Sequence, residues 1–210
     1  MLFRHSKPLR AACVLGMVSL ALLSSIAVAD PPRLPRVEMN TPAGKIIVEV
    51  DVKHAPITAA NFLRQVDQGL YKGATFYRTV GPRNNPNHKL PLSIVQGGIG
   101  PGASILPPIP LETTATTGLT HDDGAISMGR IAPNSAQSEF FVVIGVARDL
   151  DFGPGGRNPD GLGYAVFGHV VRGMKIIRRI NAMPAGGGEG AMKGQYLDNP
   201  VPITSIRRLP

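Results

Sequence analysis

The sequence is poor in cysteine and in clustered charge. Cys13 is the only cysteine among 210 residues, and it lies near the N-terminus, so we expect the rest of the chain to form no disulfide even in an oxidising compartment. The net charge of +8 comes from dispersed lysines and arginines, with no aromatic residues interleaved. This pattern is typical of a solvated surface and argues against nucleic-acid binding. The run 186–188 is Gly-Gly-Gly without the lysine and hydroxyl residue of a phosphate loop, which indicates a flexible connector.

The first 29 residues have the pattern of an export signal. Three basic residues precede a nearly apolar stretch that ends in Ala27-Val28-Ala29, a small-residue cleavage motif. We expect cleavage after Ala29 and delivery to the periplasm. The alternative is an uncleaved membrane anchor, because the apolar stretch is close to a spanning length. Residues 30–36 are a Pro-rich lead-in, and residues 37–210 are predicted to form one domain.

Short strand patterns separated by turn formers fill the remaining chain. Val37 to Asp51 predicts a hairpin, and residues after Pro56 have the spacing of an amphipathic helix. A second helical pattern follows Met174, and the whole domain gives about eight strands and two helices. Such a mainly β composition favours a barrel or a sandwich, and a closed barrel would leave no exposed strand edge.

The stretch from Ser127 to Gly145 predicts two strands joined by a long polar loop. The run Phe140 to Ile144 is rich in aromatic and β-branched residues, which favours a buried strand. A loop between two strands is a common way to present a ligand groove, although an ordinary hairpin explains the same pattern. Earlier in the chain, Thr75 to Val80 predicts a strand on which Phe76 and Arg78 point to the same side.

Five short motifs, in this order, resemble those of the cyclophilins, a family of peptidyl-prolyl cis/trans isomerases. They are Phe76-Tyr77-Arg78, Gln96-Gly97-Gly98, Ser127 to Arg130, Ser138 to Phe141 and Tyr164 to Gly168. The resemblance extends over about residues 37–209 and is closest to the bacterial periplasmic branch. It implies a closed eight-stranded antiparallel β-barrel capped by two α-helices, isomerisation of X-Pro bonds, and no cofactor or metal.

The resemblance also implies roles for individual residues. Arg78 matches the catalytic arginine, a permanently protonated donor, and Gln96 matches the glutamine that binds the substrate backbone and orients that arginine. Phe141 matches the floor of the proline pocket. Gly129 and Arg130 match the segment that pairs with the bound peptide, where the side chain of Arg130 matters less than its backbone. The further substrate-binding residues are the wall residues Ile94, Met128 and Leu150 and the groove residues Glu139 and Tyr164.

Four positions depart from the usual family residues. Ser93 stands where a pocket phenylalanine is common, Glu139 where a groove glutamine is common, and Asp149 where an aromatic is common before Leu150. Tyr164 stands in place of a histidine, a change that is common in bacterial members of the family. Together these changes predict a shallower and more acidic pocket. They leave open whether cyclosporin-type inhibitors bind.

The sequence therefore favours a monomeric periplasmic isomerase that acts on proline-containing, unfolded or partly folded polypeptides. One alternative is a chaperone or binding module that holds proline segments with little turnover. Another is an unrelated β-barrel that binds a different ligand. A possible metal motif at His121-Asp122-Asp123 is weaker, because one histidine and two acids in a Gly-flanked turn more often form a plain loop.

Overall fold

The computed structural model describes residues 1–2, 33–87, 89–100, 103 and 106–210. Residues 3–29 of the predicted signal peptide and residues 30–32 of the lead-in lie outside the described residues. Residues from Arg33 to Pro210 form one compact unit. Within the described ranges, no helix is both long enough and apolar enough to cross a bilayer.

The described residues of this unit form ten strands and three α-helices. The strands are β1 Arg36–Thr41, β2 Gly44–Val50, β3 Thr75–Val80, β4 Ile94–Gly98, β5 Ala125–Met128, β6 Phe140–Val143, β7 Ala165–Arg172, β8 Ala185–Gly187, β9 Tyr196–Pro202 and β10 Ser205–Arg208. The helices are α1 Pro56–Asp67, α2 Thr114–Thr117 and α3 Met174–Asn181, with short 3-10 turns at Arg148–Leu150 and Gly190–Met192.

The strands form a single antiparallel sheet in the order β10-β1-β2-β7-β5-β6-β4-β3-β9-β8. The mainly β fold is as expected, but the closed eight-stranded barrel with two helices is not confirmed. Among the described residues no pairing joins the end strands β8 and β10, and α2 is a third helix. The segment predicted as a flexible Gly-rich connector instead contributes β8, because the backbone of Ala185 and Gly187 pairs with β9.

Helix α1 is fixed at its N-terminus by a distant carboxylate. Pro56 occupies the first turn, where its missing N–H is not needed. The side chain of Glu112 is buried and accepts from the Ile57 amide at 3.0 Å, the Thr58 amide at 2.7 Å and the Thr58 hydroxyl at 2.6 Å. A negative charge at this position also suits the helix dipole. One side chain thus ties the loop before α2 to the helix.

The sheet carries apolar residues on both faces, and this divides the core. Phe140 packs in the main core with Phe62 of α1, Phe76 and Phe167. Phe141, its neighbour, packs in a second cluster on the opposite face. Successive strand residues point to opposite faces, so the double phenylalanine supplies one ring to each cluster.

Strand β3 has a bulge that decides where its side chains point. The register of β3 against both β4 and β9 shifts between Phe76 and Arg78. The prediction that Phe76 and Arg78 share a side is therefore wrong, since Phe76 is fully buried in the main core and Arg78 lines a surface cavity. A bulge inserts an extra residue and re-aims its neighbours. As a result Tyr77 and Arg78 face the same cavity.

Candidate functional site

Three predicted site residues lie in one row across adjacent strands. Arg78 on β3 is directly opposite Gln96 on β4, and Gln96 is directly opposite Phe141 on β6. Side chains at paired positions of neighbouring strands lie about 4.5–5.5 Å apart at Cβ. The sheet order therefore assembles the site from three segments of sequence. Gly97 is required beside this row, because a Cβ there would lie 2.9 Å from the Phe76 ring.

A cavity of about 400 Å³ opens over this row. Nine of the ten predicted site residues line it, namely Arg78, Ile94, Gln96, Gly129, Arg130, Glu139, Phe141, Leu150 and Tyr164. Met128 is the exception. Its side chain is buried in the main core, on the other face of β5, so it forms no wall of the cavity.

The guanidinium of Arg78 is held by two amide oxygens. Its Nη1 donates to Gln96 Oε1 at 2.7 Å, while Nε and Nη2 donate to Gln195 Oε1 at 2.9 and 2.6 Å. Gln195 is buried and donates in turn to the Asn84 carbonyl at 3.2 Å. Because a guanidinium has five N–H groups, two remain unengaged by any described residue.

The positive charge of Arg78 is not neutralised. Within the described chain no carboxylate lies within 4 Å of its guanidinium, and both of its acceptors are neutral amides. Burial lowers the pKa of Arg78, and the nearby tyrosines Tyr77, Tyr164 and Tyr196 oppose that effect. An arginine keeps its proton in proteins, so a fixed, charged donor faces the cavity.

Glu139 bonds to Tyr77 rather than to Arg78. The Tyr77 hydroxyl donates to Glu139 Oε2 at 2.6 Å, and the Gly100 amide donates to Oε1 at 3.0 Å. Burial raises the pKa of Glu139, and these hydrogen bonds work against that rise. Gln96 Nε2 donates to the Tyr77 oxygen at 2.7 Å, so Tyr77 separates the carboxylate from the groove amide.

The Phe141 ring forms the apolar end of the cavity together with Ile94, Leu150 and Tyr164. His121 stacks against Phe141 with the ring planes 10° apart and centroids 6.0 Å apart, and Tyr164 meets Phe141 edge-on. The His121 side chain is fully buried and bonds to Asp151 at 2.6 Å and to the Ser127 hydroxyl at 3.0 Å. His121 is therefore a support for the pocket floor.

The residues next to His121 do not join it in a metal site. Asp122 accepts from Thr120 and Arg148, and Asp123 accepts from Arg178 and from the Gly145 amide. The three adjacent side chains thus have separate partners, which agrees with the interpretation of this segment as a loop.

The side chain of Arg130 has a larger role than the sequence indicated. It is only 4% exposed, and its two Nη atoms donate to both oxygens of Asp160 at 2.8 and 2.9 Å. Its Nε donates to the Gly163 carbonyl at 2.8 Å, and the guanidinium lies 5.3 Å from the Tyr164 ring centre. Arg130 therefore ties the groove edge at residues 129–135 to the loop before β7.

The charged residues around the cavity are mainly basic, and the prediction of a pocket more acidic than is usual rests on Glu139 alone. The charged residues that line the cavity are the three arginines Arg78, Arg130 and Arg157 and a single acid, Glu139. Asp149 does not line it, and its carboxylate accepts from Arg157 Nε at 2.8 Å. The guanidinium of Arg157 also donates to the Leu90 carbonyl. A charged pair thus stands at the position where the family commonly has an aromatic.

Sequence reasoning missed Tyr77, Gln195, His121 and Arg157. Strict alternation puts Arg78 on the side of Phe76 and apart from Tyr77, whereas the bulge brings Tyr77 and Arg78 to the same cavity. Gln195 lies 117 residues from Arg78, within a segment that carries no motif. In the sequence, His121 carries only a weak metal-binding signal. No local pattern could have found these contacts, since each depends on which strands and loops are neighbours.

A groove with a fixed charged donor, an oriented amide and an apolar pocket has the arrangement of an enzyme that stabilises developing charge on a bound substrate. The model of the cyclophilin-type peptidyl-prolyl cis-trans isomerases matches residues 36–208. The chain therefore belongs to this family, and peptidyl-prolyl cis-trans isomerisation is its activity.

Curated relatives and solved structures agree with this assignment. A peptidyl-prolyl cis-trans isomerase of Acinetobacter baylyi is 32% identical, and the alignment covers 94% of each chain. Peptidyl-prolyl cis-trans isomerase A of Dickeya dadantii is also 32% identical, and the alignment covers 81% of this chain and 82% of the relative. A cyclophilin crystal structure from Cryptosporidium parvum superposes with a TM-score of 0.63 at 22% identity, covering 84% of this chain and 98% of that one. That likeness concerns the fold alone.

Proposed function

We propose that Arg78 supplies the hydrogen bond that accelerates X-Pro isomerisation. Rotation about the amide breaks C–N resonance across a barrier of about 18–20 kcal/mol, and the twisted prolyl nitrogen regains a lone pair. A donor fixed at that lone pair binds the transition state more tightly than either ground state. The observation that carries the proposal is the hold on Arg78: two amide oxygens fix the guanidinium and leave two N–H groups to the cavity.

The other residues of the cavity would place the peptide. In this proposal the proline ring rests on Phe141 between Ile94 and Leu150, and the peptide backbone pairs with Gly129 and Arg130. The cis and trans forms of the free X-Pro bond differ in free energy by only about 0.5–1 kcal/mol. The site therefore needs to lower a barrier and not to drive a reaction. Positioning residues and one fixed donor are sufficient for that task.

A protease-coupled assay on an X-Pro peptide tests the role of Arg78. A charge-assisted hydrogen bond is worth about 1.5–3 kcal/mol, so we expect Arg78→Ala to lower kcat/KM roughly tenfold to 150-fold. Arg179→Ala is the matched control, because Arg179 is exposed on α3 and its side chain donates to the Ala43 carbonyl, away from the cavity residues. Full activity of Arg78→Ala would refute the assignment.

We further propose that the enzyme acts as a monomer on exported, partly folded chains in the periplasm. The basic, apolar and Ala-Val-Ala segments of residues 1–29 support export. Expression of the full chain in a bacterium, followed by cell fractionation and N-terminal sequencing, tests this proposal. A mature chain that begins at Asp30 and fractionates with periplasmic markers is the expected result, and retention of the first residues in the membrane fraction would contradict it.

A second proposed role is to hold proline segments with little turnover. The Asp149–Arg157 pair and Ser93 stand where aromatic residues commonly widen the apolar contact. In this proposal they also weaken binding of cyclosporin-type inhibitors. Suppressed aggregation of an unfolded client by both the wild type and Arg78→Ala would support a holding role, whereas loss of that protection in Arg78→Ala would tie it to turnover.

A further inference from the structure

A continuous chain of hydrogen bonds leads from Arg78 to Glu139. Arg78 donates to the Gln96 oxygen at 2.7 Å, the Gln96 amide nitrogen donates to the Tyr77 oxygen at 2.7 Å, and the Tyr77 hydroxyl donates to Glu139 at 2.6 Å. Every link is short and involves side chains that are at least partly buried. The chain ends at the Gly100 amide, which donates to the second carboxylate oxygen.

The protons available on these groups allow the hydrogen bonds to be donated in only one direction, from Arg78 toward Gln96 and from Gln96 through Tyr77 to Glu139. A guanidinium can only donate, and an ionised carboxylate can only accept. The single hydroxyl proton of Tyr77 must therefore point to Glu139, which leaves the Tyr77 oxygen to accept from Gln96. Burial, followed by the neighbouring carboxylate, raises the pKa of Tyr77, so this hydroxyl stays protonated.

A flipped Gln96 amide would break the chain at both of its ends. Its NH₂ group would then face the N–H of Arg78, and two donors in contact leave both without an acceptor. Its oxygen would face the Tyr77 oxygen, whose proton is committed to Glu139. The orientation of Gln96, and with it one of the two supports of Arg78, thus depends on residues beyond Gln96.

We propose that Tyr77 and Glu139 are positioning residues for isomerisation, which hold the Gln96 amide with its oxygen toward Arg78. The inference rests on the proposed role of Arg78 and extends it. Neither residue is required to touch the reacting amide. Glu139 fixes the hydroxyl of Tyr77, Tyr77 fixes Gln96, and Gln96 fixes the catalytic guanidinium.

The backbone around Glu139 is shaped to accept its side chain. A Cβ at Gly98 would collide with the Glu139 carboxylate, and a Cβ at Gly129 would lie 3.2 Å from Glu139 Cβ. Glycines on β4 and after β5 therefore leave space for the carboxylate next to the groove. Replacing the glutamate needs no change in these glycines, so variants at 139 are expected to fold.

Substitution of Tyr77 by phenylalanine is the first test. Tyr77→Phe removes the hydroxyl but keeps the ring, which packs edge-on against Tyr196 at 5.6 Å. The Gln96 amide, which orients Arg78, loses one neutral hydrogen bond, and this predicts a roughly two- to tenfold fall in kcat with little change in KM. Tyr196→Phe is the matched control, because its hydroxyl bonds only to Met192 Sδ in the described chain and lies outside the relay. We expect full kcat for that control.

A double-mutant cycle separates positioning from general structural support. Glu139→Ala should lower kcat by about as much as Tyr77→Phe. Glu139→Gln should recover part of that loss, because an amide oxygen still accepts. The double variant Tyr77→Phe/Glu139→Ala should be no slower than either single variant. The inference would be overturned if the losses of kcat were additive in the double variant, or if the variants lowered only the thermal midpoint and left kcat unchanged.

The outcome for Arg78→Ala distinguishes the two proposals. If Arg78→Ala keeps full activity, the proposed role of Arg78 fails and the relay has no catalytic purpose. If Arg78→Ala is inactive and Tyr77→Phe keeps the kcat of the wild type, only the positioning role fails.

Discussion

Replacing Gln195 by glutamate keeps the shape of the group that holds Arg78 but adds a negative charge beside the guanidinium. Gln195 Oε1 accepts from Nε at 2.9 Å and from Nη2 at 2.6 Å, and a carboxylate can accept both bonds equally well. The geometry of Arg78 should therefore persist. What changes is its charge balance, because no described carboxylate pairs with Arg78 in the wild type.

The size of the effect follows from the difference between two kinds of hydrogen bond. A bond from a charged group is worth about 1.5–3 kcal/mol and one between neutral groups about 0.5–1.5 kcal/mol. If the new carboxylate cancels most of the charge, transition-state stabilisation falls by about 1–1.5 kcal/mol. This corresponds to a roughly five- to tenfold loss of kcat. The free energy of unfolding should stay within about 1.5 kcal/mol of the wild type, because the new ion pair is opposed by loss of the Gln195 donor to the Asn84 carbonyl.

The protease-coupled assay with an X-Pro peptide, run beside urea denaturation of the same samples, measures both quantities. Gln195→Ala is the comparison, because it loosens Arg78 without adding charge. A Gln195→Glu enzyme that is slower than the wild type and no less stable than Gln195→Ala would support the role of an uncompensated charge. An unchanged or raised kcat in Gln195→Glu would refute it.

Three further predictions concern stability and the groove edge. Glu112→Ala leaves two amides of α1 and the Thr58 hydroxyl without their acceptor. We therefore expect the free energy of unfolding, measured by urea titration, to fall by about 1.5–3 kcal/mol. An unchanged urea midpoint would contradict this. Arg130→Ala frees the groove edge from Asp160 and Tyr164, and we expect a higher KM at nearly constant kcat, whereas a fall in kcat alone would count against an edge role. Burial raises the pKa of Glu139 above its ordinary 4.5, so the folded protein binds a proton at pH values where the unfolded chain has released it. Stability should then decrease as the pH rises through that window, and Glu139→Gln should reduce this slope in denaturation curves measured across it; an identical slope in both proteins would contradict the shift.

Local patterns were sufficient for most of the strands. The strand Thr75–Val80 was predicted with its observed ends, and the hairpin of β1 and β2 was correctly placed. Alternation and turn residues depend on neighbours in sequence, so they are visible without the fold. The same rule failed at Arg78, because a bulge changes the alternation and depends on the pairing partners of β3. It also failed for β8, whose glycines carry no strand signal.

The sequence by itself determined which side chains can perform the chemistry: a permanently charged Arg78, the amide of Gln96 and the ring of Phe141, each in a motif of its own. Only the tertiary structure decided how they are held. It placed Gln195 behind Arg78, inserted Tyr77 between Gln96 and Glu139, and buried Met128 in the core. Residue types and short spacings define chemical capacity, whereas the contacts that orient a donor come from strand order and from segments far apart in the chain.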